Sequence, residues 1–170
     1  MINYVGKFIP NLSEITKPLR HLIEKDTEFK ITEEHAEALE KIKTILTSNP
    51  ILKMFDPKKI TKVSADASDY GLGTVLLQKH GEDWLPTSYA SRSLTKTEQN
   101  YAQIEKECLA LVFACTRFHH YVYGLDFMCE TDHKPLETLF NKNISEVPAR
   151  IQRMMLHLSK YPDMVEKNKF

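Results

Sequence analysis

The chain has 170 residues, 42% of them hydrophobic and 27% charged, which is ordinary for one globular domain with an appendage. Lys plus Arg and Asp plus Glu number 23 each, so the formal net charge is zero. That excludes a strongly basic binder held to nucleic acid by phosphate contacts alone, but not an enzyme with one basic face and carboxylates at its centre. The three cysteines, Cys108, Cys115 and Cys129, form no CxxC or Cys/His pattern, which argues against a structural zinc site and fits a reducing, intracellular compartment. The start has no secretory signal pattern, and the longest apolar run, CLALVFAC (108–115), is too short to span a bilayer, so no membrane partner is expected.

The predicted elements begin with two helices. SEITKPLRHLIEK (13–25) spaces Ile15, Leu19, Leu22 and Ile23 helically. TEEHAEALEKIKTILTS (32–48) has Thr32 as N-cap and aligns Ala36, Leu39, Ile42, Ile45 and Leu46. Pro50 closes that segment, and MFDPKKI (54–60) reads as a connector. Strands follow at 62–67, 73–78 and 84–94, a three-strand meander with turns at 68–71 and 80–83. One long helix is predicted over 97–121, apolar nearly all round at its middle and therefore central. A fourth strand (126–132), a short helix (HKPLETLFN, 133–141) with Pro135 near its start, and an amphipathic helix (148–161) complete the pattern. The expected fold class is mixed α/β, one dominant sheet flanked by helices and preceded by a small helical segment.

Three acids occupy awkward positions. Asp66 lies in the first strand, where Asp is disfavoured. Glu107 immediately precedes CLALVFAC on the central helix, and Asp132 ends the fourth strand. Singly, each has an ordinary reading: a residue near a turn, a solvated helix acid, a helix N-cap. Gathered at one sheet edge, they would repel one another unless cations sat between them. All-oxygen ligand sets favour Mg²⁺ or Mn²⁺, and two such ions suit phosphodiester hydrolysis. The order Asp, Glu, Asp also differs from DDE-type integrases, where the Glu comes last. An aspartic protease is the weaker alternative, since ADAS (65–68) only partly matches the DTG pattern and no second copy is evident.

Six motifs together carry a family resemblance: FIPNLSEITKPLRHLIEKDTEF (8–29), SADASDYGLGTVLLQ (64–78), YASRSLTKTEQNYAQIEKECLALVFA (89–114), FHHYVYG (118–124), TDHKPLETL (131–139) and PARIQRMMLHLSKY (148–161). In this set and order the chain resembles the ribonuclease H region of gypsy-class LTR retrotransposon polyproteins, with the segment joining it to the reverse transcriptase. The resemblance implies a ribonuclease H-like fold with a mixed five-stranded sheet. It implies two Mg²⁺ ions, with Mn²⁺ as substitute, and endonucleolytic cleavage of RNA in RNA/DNA hybrids. Asp66, Glu107 and Asp132 fall on the first three metal-binding carboxylates, with Glu107 preferred over Glu105 because it directly precedes the apolar run. Residues 1–55 match the end of a polymerase thumb and its connection, and 56–170 the nuclease. The implied partners are an RNA/DNA hybrid and the polymerase part of the same polyprotein, in the cytoplasm, in retrotransposon particles or in the nucleus.

One departure stands out. The family closes with a fifth strand, a turn and a helix start carrying a fourth Asp, whereas this chain ends YPDMVEKNKF and Asp163 is misplaced for that role. The last strand and helix are therefore expected to be missing, and a non-catalytic, truncated or domesticated remnant that binds nucleic acid or supports a polymerase is the alternative function. The polymerase's YxDD-type motif is absent, so DNA synthesis is not expected. Ser68, His133, Arg150 and Arg153 are the further candidates for substrate contact, each also readable as an ordinary turn, helix-start or solvated-face residue. Trp84 reads as a strand-end residue or a base-stacking platform.

Overall fold

The computed structural model describes residues 6–23, 27, 29–47, 52–131, 136, 140, 142–161 and 164–168. Helices α1 (Leu12–Ile15) and α2 (Lys17–His21) follow a short 3₁₀ turn at Gly6–Phe8. The predicted single helix breaks at Thr16 because Pro18 has no amide hydrogen to bond back into the preceding turn, and is tolerated only where a helix starts. The Thr16 hydroxyl donates to the Leu12 carbonyl at 2.7 Å across the break. Helix α3 (Glu33–Thr47) buries His35, Ala38 and Ile42 rather than the predicted Ala36 and Leu39, and Leu39 is 41% exposed. The rotation follows from its partners: Ile42 packs with Ile9 and Leu12 in a small separate core, flanked by Ile15, Leu19 and Ile45.

The sheet has five strands in the order β3-β2-β1-β4-β5. These are β1 (Thr61–Ala67), β2 (Gly71–His80), β3 (Asp83–Ser93), β4 (Phe127–Thr131) and β5 (Met164–Asn168). The meander β1–β3 is antiparallel, and β4 joins β1 in parallel after the helical crossover. Alternation sends Val63, Ala65 and Ala67 of β1 into the core, and leaves Lys62, Ser64 and Asp66 on the other face. The expected loss of the last strand is corrected here. Residues Met164–Asn168 add to the free edge of β4 in parallel, from Phe127↔Met164 to Thr131↔Asn168. MVEKN carries too little apolar alternation to announce itself, and it is the unpaired edge of β4 that supplies its ladder.

The predicted helix over 97–121 is three: α4 (Lys96–Gln99), α5 (Gln103–Arg117) and α6 (His119–Val122). Thr95 and Glu98 cap α4 reciprocally, and an extended Ala102 interrupts the chain before α5, its amide donating to the Glu105 carboxylate at 3.0 Å. Helix α5 lays Cys108, Leu111, Ala114 and Cys115 onto the core side of the sheet, and α7 (Ala149–Leu158) adds Ile151, Met154 and Leu158. Of the predicted helix at 133–141, only 136 and 140 are described, and Leu136 is fully buried in this core.

The connector is fastened to the sheet. Fully buried Gln78 accepts from the Asp56 amide (2.9 Å) and donates to the Asp56 carbonyl (2.8 Å) and the Thr61 hydroxyl (3.0 Å). The Lys53 amide donates to the Pro86 carbonyl at 2.9 Å. Both backbone groups of Asp56 thus find partners in one side chain, which fixes where the helical segment leaves the sheet.

Candidate active site

Asp66 is the next-to-last residue of β1, exposed on the sheet face opposite α5 and directly across from Gly73 of β2. The turn after it is built by Ser68. Its hydroxyl accepts from the Gly71 amide (3.1 Å) and the Tyr70 amide (3.4 Å) and donates to the Gly71 carbonyl (3.2 Å), so its oxygen serves the turn.

Glu107 sits in the second turn of α5 and is 3% exposed. Gln103, one helical turn earlier, donates from Nε2 to Glu107 Oε1 at 2.7 Å and to the carbonyl of Ala67 at 3.1 Å. The Ala67 carbonyl can only accept, so the amide nitrogen must face it. One side chain therefore joins the helix bearing Glu107 to the strand end bearing Asp66. A second tie lies alongside. Lys106 is 5% exposed, and its ammonium reaches the Asp69 carboxylate at 2.9 Å, holding the β1–β2 turn to α5. Glu105 serves elsewhere: besides capping α5, it takes both carboxylate oxygens to Arg150 at 2.8 and 2.9 Å.

That pairing also places Arg150, whose guanidinium lies 4.0 Å from the Tyr101 ring centroid and bridges α7 to α5, while Arg153 is exposed. Asp132, His133 and Asp163 lie outside the described residues. The β1/β4 register runs to Ser64↔Glu130, and Asp132 is two residues past Glu130 in sequence as Asp66 is past Ser64. Among the described residues no three His, Cys, Asp or Glu side chains group as metal ligands. On the Asp66 face, Lys62 lies 3.2 Å from Glu130 and 4.6 Å from the centroid of the half-buried Trp84. Tyr89 borders the cleft beside Asp66, and burial pushes its hydroxyl up, so it stays protonated.

Sequence reasoning passed over Gln103 and Lys106. Gln103 had a signal, the four-residue spacing to Glu107 on one helix face; Lys106 had none, since a buried lysine beside a solvated aspartate is a tertiary outcome.

Comparison with known proteins places this arrangement. Residues 31–129 match the family described as "RNase H-like domain found in reverse transcriptase". The Retrovirus-related Pol polyprotein from transposon 297 of Drosophila melanogaster is 40% identical over 162 residues, covering 95% of this chain and 15% of that protein. The Transposon Tf2-3 polyprotein of Schizosaccharomyces pombe is 36% identical over 163 residues, covering 94% and 12%. The chain thus spans less than a sixth of these relatives' length. Among solved structures, the foamy viral protease-reverse transcriptase in complex with dsDNA superposes with a TM-score of 0.77 at 26% identity, over 99% of this chain and 36% of that one. The same viral protein in complex with an RNA/DNA hybrid shares the fold, with a TM-score of 0.72 at 23% identity over 98% of this chain and 23% of that one. No helix among the described residues is long and apolar enough to cross a membrane. With the family match covering more than half the chain, and with a five-stranded mixed sheet whose β1 carries Asp66 beside the helix that carries Glu107, the chain belongs to the RNase H-like domain family of reverse transcriptases.

Proposed function

We propose that this chain hydrolyses the RNA strand of RNA/DNA hybrids endonucleolytically, as part of a retrotransposon reverse transcriptase. The observation that carries the reading is the Gln103 amide, which ties the nearly fully buried Glu107 to the backbone beside Asp66. A buried carboxylate held by a donor, one strand end from a second and exposed carboxylate, is costly to keep unless both have a use.

In this reading Asp66, Glu107 and Asp132 hold divalent cations. The fit rests on the donor chemistry: carboxylate oxygens without sulfur or imidazole suit Mg²⁺, with Mn²⁺ as substitute. When bound, such ions supply an activated water and compensate charge on the leaving oxygen. Water attacks the phosphorus, the P–O3′ bond breaks, and the products carry a 5′-phosphate and a 3′-hydroxyl. Gln103 orients Glu107, Lys106 keeps the turn after Asp66 against α5, and exposed Asp66 faces the approaching backbone. Residues 1–55 form the polymerase-side segment and 56–170 the nuclease. The small core of Ile9, Leu12 and Ile42, separate from the main one, supports that division, with Phe55 at the boundary packed against the main core.

The test is cleavage of a labelled RNA/DNA hybrid with Mg²⁺ and separately with Mn²⁺, by the parent chain and by Asp66→Asn. Cleavage by the parent alone is expected. Equal cleavage by Asp66→Asn would refute the site. Hybrid binding without cleavage at any metal concentration would make the chain a non-catalytic binding module.

A further inference from the structure

The helical segment before the nuclease does not stand apart from Asp66. Residues 9–17 are seated on the sheet face that carries it. A Cβ added at Gly73, the residue paired with Asp66, would lie 2.6 Å from Asn11 Oδ1, and one at Gly71 would lie 2.5 Å from Ser13 Oγ. The Ser13 amide donates to the Ser91 hydroxyl at 3.0 Å, and the Lys17 ammonium stands 3.1 Å from the Tyr70 ring centroid. Within this segment Ile9, Leu12, Ser13 and Thr16 are buried, Ile9 and Leu12 in the small core they share with Ile42.

Asn11 is set apart within the segment. It has φ +49°, the one positive value at a non-glycine among the described residues. Its side chain makes no capping bond to α1, and its Oδ1 instead reaches over Gly73. Asn tolerates the left-handed region better than other side chains, and strained backbone of this kind concentrates where a side chain must be aimed. The cleft so formed is lined by Pro10, Asn11, Ser64, Asp66, Gly73 and Tyr89. The end of this wall, beside Asp66, is a neutral amide that both donates and accepts.

We propose that Asn11 is a substrate-positioning residue, hydrogen-bonding the sugar-phosphate backbone of the hybrid next to the strand held at Asp66. The proposal rests on the nuclease reading. It concerns a residue outside the 31–129 family match.

The test uses the full chain and two variants. Asn11→Gly removes the amide while keeping the left-handed backbone open. Gly73→Ala displaces the amide by its new Cβ, at little cost to the fold because only a side-chain end must move. Hybrid affinity is read by fluorescence anisotropy in the uncleaving Asp66→Asn background, and KM and kcat in the cleaving one. Both variants are expected to weaken hybrid binding about tenfold, the equivalent of one hydrogen bond, and to raise KM by the same factor with kcat within about twofold. Thermal unfolding should hold within about 2 °C, which separates positioning from a folding role. Unchanged affinity and KM in both variants would overturn the proposal. Weakened binding in a chain that never cleaves would uphold the Asn11 contact while refuting the nuclease reading, and a chain that neither binds nor cleaves hybrid would refute both.

Discussion

The pair Arg92–Glu98 joins the end of β3 to the start of α4, and from there the chain runs into the helix that carries Glu107. It is bidentate, with Nη1 to Oε2 at 2.8 Å and Nη2 to Oε1 at 2.9 Å, and Glu98 also accepts from the Thr95 amide at 2.8 Å. The Arg92 hydrogen bonds, aided by Thr95 and opposed by burial, hold the Glu98 carboxyl down to about 2 from 4.5. That difference corresponds to about 3 kcal/mol. The Arg92 side chain is 33% exposed and that of Glu98 17%, so solvent screening reduces the contribution to about 1–2 kcal/mol. Glu98→Gln keeps the length and the Thr95 acceptor but loses the charge. Because the folded-state value lies below the unfolded one, the charge's contribution is complete above pH 4.5 and fades as pH falls toward about 2. Urea unfolding followed by circular dichroism is expected to show the parent about 1–2 kcal/mol more stable than Glu98→Gln at pH 7, with the gap closing below pH 4.5. A gap constant across that range, or none at pH 7, would refute the reasoning.

Gln103→Leu leaves the Ala67 carbonyl and the Glu107 carboxylate each short of a donor. It should cost about 1–3 kcal/mol in urea unfolding, while Gln103→Glu, which sets a second carboxylate against Glu107 and the Ala67 carbonyl, should slow hybrid cleavage more than Gln103→Leu does; the reverse order would refute the orienting role. Lys106 and Asp69 are unequal partners, one buried and one largely solvated, so Asp69→Asn, which strands a buried cation, should lower the unfolding temperature more than Lys106→Met, and the reverse order would refute this account. Gln78→Leu should expose the connector at 52–60 to limited proteolysis while the sheet stays folded; an unchanged digestion pattern would show that the Gln78 bonds do not hold it. EDTA should abolish cleavage while shifting the unfolding temperature by no more than about 2 °C, since both cores are built of apolar side chains; unchanged cleavage would remove divalent ions from the mechanism.

The sequence by itself determined the strands of the meander, the α/β class and the family, because period-two burial and turn chemistry are local properties and the motifs recur in a fixed order. It also marked Asp66 and Glu107, since a carboxylate in a half-buried strand or just before an apolar run has to be explained wherever it occurs. Helix breaks at Thr16 and Ala102 were less legible: apolar spacing runs through both, and a proline placement and an extended residue stop the hydrogen-bond ladder. The rotation of α3 and the pairing of β5 depend on surfaces supplied from elsewhere, by Ile9 and Leu12 in one case and by the edge of β4 in the other. Above all, only the tertiary structure decided that the leading helical segment packs beside Asp66. Gly71 and Gly73 read as turn and strand glycines until the side chains of Ser13 and Asn11 occupy the space their missing side chains leave, and that approach of side chain to backbone is a contact between segments about sixty residues apart that no local pattern encodes.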